Sequence, residues 1–169
     1  MNNNITIRKA TEDDAANILE FTKCVRAETN FLGSHADDEL PKIDTEKKIL
    51  RESNDNNLFF LATIDNELVG MMVFDRKTKI KQKHRASFGI FVKKEFWDKK
   101  IGSSLMENML NHAKLLSGLE KIELGVYNNN ERAIALYKKY GFKEEGIIKK
   151  AYFLNDEYHD ELIMGLFLK

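Results

Sequence analysis

The chain has 169 residues, 43% hydrophobic and 32% charged, a length that suggests a single domain, residues 1–169, with a real buried core. Lysine plus arginine matches aspartate plus glutamate at 27 each, so no charge excess points to nucleic acid or a membrane surface. A lone cysteine, Cys24, excludes an internal disulfide framework and a multi-cysteine zinc site, and no apolar run is long enough to span a bilayer.

The opening MNNNITIRKA lacks the apolar segment of a secretion signal, so the expected location is cytoplasmic. Ile5 and Ile7 alternate with polar residues and predict a short strand. Thr11 is the expected cap of a helix whose first turn carries Glu12, Asp13 and Asp14. Its buried face is Ala15, Ile18, Leu19, Thr22 and Val25, and Cys24 within it reads as packing rather than chemistry. ETNFLGSHADDELPKID, irregular and polar, reads as a functional loop, and Asp44 as the cap of a second helix, TEKKILRES.

From Leu58 the period changes to two. LFFLATI and LVGMMVF flank Asp65-Asn66, a pair suited to a tight hairpin, and RASFGIFV is a further strand. Helical spacing returns with Ile101, Leu105, Met109, Ala113 and Leu116, closed by Gly118. KIELGVY is a strand, and NERAIALYKKY is a helix with an inward stripe of Ala133, Leu136, Tyr137 and Tyr140, ended by a left-handed Gly141. The remainder predicts two strands turning near Asn155-Asp156. Strands outnumber helices and most neighbours can pair as hairpins, which predicts an α+β sheet domain.

Two strand–turn–helix segments carry the candidate chemistry. In FGIFVKKEFWDKKIGSSLM a helix begins at Ile101-Gly102-Ser103-Ser104, where unpaired N–H groups and the helix dipole favour phosphate. Lys99 and Lys100 add positive charge; capping and solubility explain the same residues without a ligand. In VYNNNERAIALYKKYGF, Asn130 stands at the cap position and Tyr137 lies farther along the helix, where a core aromatic is the ordinary reading. Were the two strands adjacent, both helix starts would lie at strand ends, where sheets bind ligands.

On these segments, with IRKATEDDAANILEF and the LFFLATIDNELVGMMVF hairpin, the whole chain resembles the GCN5-related N-acetyltransferases, which move an acetyl group from acetyl-CoA to an amine. The resemblance implies the acyl-CoA N-acyltransferase fold, a mixed and mostly antiparallel central sheet of about seven strands flanked by about four helices. It implies that backbone groups of Phe91 and Val92 pair with the pantetheine arm. It also implies that N–H groups of Lys99, Lys100, Ile101, Gly102, Ser103 and Ser104 hold the pyrophosphate. Asn130 and Ala133 would lie against the cofactor, and Tyr137 would protonate the departing thiolate. The family's phosphate loop has arginine or glutamine where Trp97 stands and glycine where Lys100 stands, so Lys100 is strained if that position needs positive φ.

No acidic residue within SFGIFV supplies an obvious base; Glu28, His84 or an ordered water are the candidates, and Phe31, Tyr158 and Asp160 join Glu28 and His84 as acceptor-side residues. The acidic groups Asp37, Asp38, Glu39 and Asp156, Glu157, Asp160, Glu161 suit a cationic amine acceptor, or keep a surface soluble. No metal is expected, and the resemblance allows a homodimer. Two alternatives stay open: an acyl-CoA-binding sensor of the same fold without turnover, and an α+β interaction module without a ligand.

Overall fold

The computed structural model describes residues 5–168. Seven strands and four helices follow one another as β1 (Thr6–Lys9), α1 (Ala15–Glu28), α2 (Ile43–Arg51), β2 (Asn57–Ile64), β3 (Glu67–Arg76), β4 (Arg85–Val92), α3 (Ile101–Leu115), β5 (Lys121–Tyr127), α4 (Glu131–Lys139), β6 (Lys143–Leu154) and β7 (Glu157–Phe167). The β1/β2, β2/β3, β5/β7 and β6/β7 pairs are antiparallel and β4/β5 is parallel, the mixed, mostly antiparallel α+β fold that the sequence predicts. The chain divides into two compact units: one takes residues up to Asp75 and Gly89–Ser117, the other Arg76–Phe88 and Gly118 onward.

In the first unit the strand order is β1-β2-β3-β4. The β2/β3 hairpin turns on Asp65 and Asn66, both left-handed (φ 49° and 67°), the conformation that a two-residue type I′ turn requires. β2 is apolar on both faces because both are covered. Phe59 and Leu61 pack with Ala15, Ile18, Phe21 and Val25 of α1 and with Leu50 of α2. On the other face α3 lies so close to β3 that a Cβ on Gly70 would meet Ile101 Cγ2 and Leu105 Cδ1, so glycine is needed there.

Helix boundaries depart locally from the sequence expectation. Thr11 precedes a 3-10 turn, Glu12–Asp14, before α1, and the Asp14 carboxylate accepts from Thr11 N–H at 2.8 Å and from Arg8 at 2.6 and 2.7 Å. The buried stripe of α1 takes Phe21 where Leu19 and Thr22 were expected, because the bulkier ring fills the space toward β2. α2 begins at Ile43 with Lys42 as its cap, which puts Asp44 inside the first turn, where its charge still complements the dipole. α3 ends at Leu115, and the left-handed Gly118 (φ 72°) lies in the turn beyond it.

The second unit has strand order β4-β5-β7-β6. β4 and β5 pair with Arg85, Ala86 and Ser87 opposite Lys121, Ile122 and Glu123. Ile122, Leu124 and Val126 alternate into the core of this unit. The β6/β7 hairpin turns on Asn155 and Asp156 (φ 51° and 61°), as the sequence predicts. β6 carries a bulge: Ile148 faces Glu161 and Tyr152 faces His159, so four steps on β6 match two on β7.

Candidate active site

In the first unit, the segment between β4 and α3 is folded by side chains that return it to its own neighbours. The Glu28 carboxylate at the end of α1 accepts from Lys94 N–H at 2.8 Å, where a short 3-10 turn, Lys94–Phe96, begins. Its other oxygen lies 3.5 Å from Cys24 Sγ, and burial pushes the Cys24 thiol above its ordinary value. Trp97 donates its indole N–H to the Val92 carbonyl at 2.9 Å, which turns the chain sharply after the strand. Phe91 packs against the α1 cluster, and Phe31 is exposed in the loop after α1, its N–H bonded to Thr29 Oγ1.

Lys100 adopts φ 65°, ψ 6°, the left-handed conformation that favours glycine. Asp98 is also left-handed (φ 60°), so Lys99 is bracketed by two reversals. The Lys100 carbonyl accepts the first intrahelical bond of α3, from Ser104 N–H at 2.9 Å, and the Lys100 side chain makes no cap bond. The first-turn N–H groups of Ile101, Gly102 and Ser103 therefore precede the regular ladder, at the positive end of a 15-residue helix. Ile101 is buried, whereas Gly102, Ser103 and Ser104 keep partial exposure. The Lys99 ammonium lies 4.8 Å over the Phe96 ring, held by the cation–π attraction of that face.

In the second unit α4 is capped at both ends. Asn130 Oδ1 accepts from Ala133 N–H at 3.3 Å, the N-cap expected from sequence. At the other end Gly141 (φ 89°) donates to Lys138 C=O and Phe142 to Tyr137 C=O, the paired bonds of a Schellman motif. These two caps fix the rotation of a helix only nine residues long, and thereby the direction of Tyr137.

Tyr137 is 6% exposed, with its ring edge-on to Phe88 at 5.7 Å and tilted against Phe142 at 6.1 Å. Among the described residues none donates to or accepts from its hydroxyl, and the one sealed side-chain atom lacking a partner there is Arg26 Nε. The phenol oxygen is therefore not fully sealed, whereas the ring is buried. Burial raises the phenol well above its ordinary value, because an anion in that surrounding loses its hydration. It holds its proton at neutral pH and can act as a donor.

The remaining expected residues of this unit are engaged structurally. His84 stands one residue before β4, its carbonyl accepting from Glu120 and Lys121 N–H, at the strand end opposite Phe91 and Val92. Asp160 accepts from Lys149 Nζ at 2.8 Å and from Lys150 N–H at 2.9 Å, which closes the β6 bulge where Lys150 is left-handed (φ 54°). Tyr158 is exposed, packed on Phe153 with the Lys150 ammonium over its ring. Beside them Glu161, one of the acidic residues that the sequence offered to a cationic acceptor, meets three residues that it did not single out, Tyr127, Tyr152 and His159, brought together by strand register. Among the described residues no cluster of three or more His, Cys, Asp or Glu is placed to hold a metal ion, and no helix is long and apolar enough to cross a membrane.

Known proteins resemble this chain in sequence and fold. The L-amino acid N-acetyltransferase AaaT of Escherichia coli is 36% identical over 105 residues, which cover 62% of this chain and 65% of that protein, just under two thirds of its length. The spermidine N(1)-acetyltransferase of Vibrio cholerae is 25% identical over 95% of this chain and 91% of its own. A crystal structure of an acetyltransferase of the GNAT family from Streptococcus pneumoniae superimposes with a TM-score of 0.93 at 26% identity, over 98% of this chain and all of that one. Residues 22–142 match the model of the acetyltransferase (GNAT) family, and the chain belongs to that family of enzymes.

Proposed function

We propose that the chain transfers the acetyl group of acetyl-CoA to a primary amine by direct attack, with Tyr137 as the proton donor to the departing thiolate. The observation that carries this reading is the Tyr137 phenol, sealed around its ring, protonated at neutral pH and without a hydroxyl partner among the described residues. A phenol with no protein partner keeps its O–H available to donate to a ligand. The residues also suit the pyrophosphate end. Lys100 takes the left-handed conformation that favours glycine, and its side chain makes no cap bond at the start of α3. An anion there meets main-chain N–H groups and the helix dipole, with Lys99 and Lys100 adding long-range attraction.

Acetyl-CoA would supply the activated acyl group; the protein supplies position and a proton. The backbone of Phe91 and Val92 presents edge groups to the arm, with Val92 C=O oriented by Trp97. Asn130 keeps its side chain on Ala133 N–H and so contributes by fixing α4, and Tyr137 with it. Glu28 is bound to Lys94 N–H and serves the reading best as the brace of the loop before α3. Relatives act on L-amino acids and on spermidine by name, so a small aliphatic amine is the acceptor class to try first.

Tyr137→Phe tests the reading. Turnover should fall while acetyl-CoA still raises the melting temperature, because only the folded state binds it. Unchanged turnover would remove Tyr137 from the mechanism.

A further inference from the structure

On one face of the second unit, β5, β7 and β6 bring Gly125, Tyr127, Glu161, His159 and Tyr152 side by side. The register explains why: Tyr127 is opposite Glu161 and His159 is opposite Tyr152, and residues two apart on a strand share a face. Tyr127 and Tyr152 stack at 4.1 Å with planes 8° apart, and His159 tilts against Tyr127 at 5.8 Å. The bulge closed by Asp160 re-aims Tyr152 to reach that stack, since an unbulged β6 would carry a different residue opposite His159.

The Glu161 carboxylate lies over the backbone of β5 at Gly125, in space that any Cβ there would occupy. Glycine at this position is a cradle, and the carboxylate fills it. Tyr152 donates to Glu161 Oε1 at 2.6 Å, and burial together with that bond pushes the Tyr152 phenol well up, which keeps the donor protonated.

The carboxylates nearby are neutralised. Glu123 is paired by Arg85 at 2.6 Å, Glu145 by Lys121 at 2.6 Å and Asp160 by Lys149 at 2.8 Å. Glu161 has no cationic partner among the described residues. The adjacent Asp160, one residue away on β7, points to the opposite face and takes Lys149 with it. A half-buried carboxylate held by a phenol over a glycine, with its counter-ion missing, is preorganised for a cation from outside.

We infer that Glu161, seated on Gly125 and oriented by Tyr152, binds the ammonium group of the acceptor. The inference rests on the acetyltransfer reading for the word acceptor, while amine binding itself does not. Glu161 is the binding group, Tyr152 a positioning residue, and Gly125 the space that both require.

The test is titration calorimetry of the full chain with three amines protonated at neutral pH: spermidine, L-alanine and a short peptide with a free N-terminal alanine. At least one should bind, with affinity falling about tenfold or more in Glu161→Gln, because a charge-assisted bond becomes a neutral one. Tyr152→Phe should lose less, about threefold, and raise KM with kcat retained. It also keeps the test open should Glu161→Gln fail to fold. The acetyl-CoA thermal shift should be the same in both variants as in the parent. Binding of no amine, or equal binding by Glu161→Gln, overturns the inference. Glu161-dependent amine binding in a parent chain that shows no acetyl-CoA shift would reject acetyl transfer and leave the amine site standing.

Discussion

At the start of α3, in the first unit, the polar groups are main-chain N–H groups of a first turn whose N-cap, Lys100, is left-handed and makes no side-chain cap bond. Around Tyr137 and Glu161, in the second unit, they are a phenol and a carboxylate, each placed by packing and strand register. The first region depends little on side-chain type, because every residue but proline has an N–H, and its turn forms with a lysine in the left-handed position. The second has no such freedom. A phenol moved by one helical position or a carboxylate moved by one strand position faces the wrong way.

The contrast predicts a graded set of effects. Tyr137→Phe should be the largest, a loss of about a hundredfold or more in turnover, the size typical of a missing acid, with acetyl-CoA affinity nearly unchanged. Steady-state release of free CoA beside a binding titration measures both. Glu161→Gln comes next, its amine affinity following the calorimetry described above. Changing Lys99 and Lys100 together to alanine should weaken acetyl-CoA by only about threefold to tenfold at low salt, since exposed charges contribute little each. That loss should fade at about 1 M salt, where charges are screened beyond about 3 Å. A salt-independent loss would instead place the damage in the turn itself.

Smaller still is the backbone effect. Lys100→Gly relieves a non-glycine residue at φ 65° and should raise stability by about 1 kcal/mol, read as a shift in the urea midpoint. No shift would mean that the lysine side chain recovers that strain through contacts of its own. The smallest concerns acid. Asp160 is held below the usual carboxylate range, chiefly by its hydrogen bond from Lys149. Its folded value lies under the unfolded one near ~3.9, so its contribution is present above that pH and drains away as pH falls through the folded value. Asp160→Asn should therefore lower stability slightly at neutral pH and converge with the parent in acid, where unfolding of the two can be compared.

Much of the fold was legible because local rules and tertiary needs agree. Asp65-Asn66 and Asn155-Asp156 are turn pairs that accept positive φ, and each sits in a hairpin turn. Gly141 ends α4 as expected, and Asn130 begins it. Where expectation slipped, a neighbour had the deciding role. Phe21 replaces Leu19 and Thr22 on the buried face of α1 because β2 offers it a place, and α2 starts before Asp44 although aspartate is a good cap.

The sequence by itself determined the order of elements, the turn chemistry and the helix that carries Tyr137. Each depends on residues close together in the chain, where steric limits and capping act directly. Tertiary structure alone decided that Asp160 would clip a bulge while Glu161, its neighbour, would lie unpaired over Gly125. The reason is the alternation of a strand: adjacent side chains point to opposite faces, and which face holds the lysines and which the glycine is settled only when β5, β6 and β7 pair in one register.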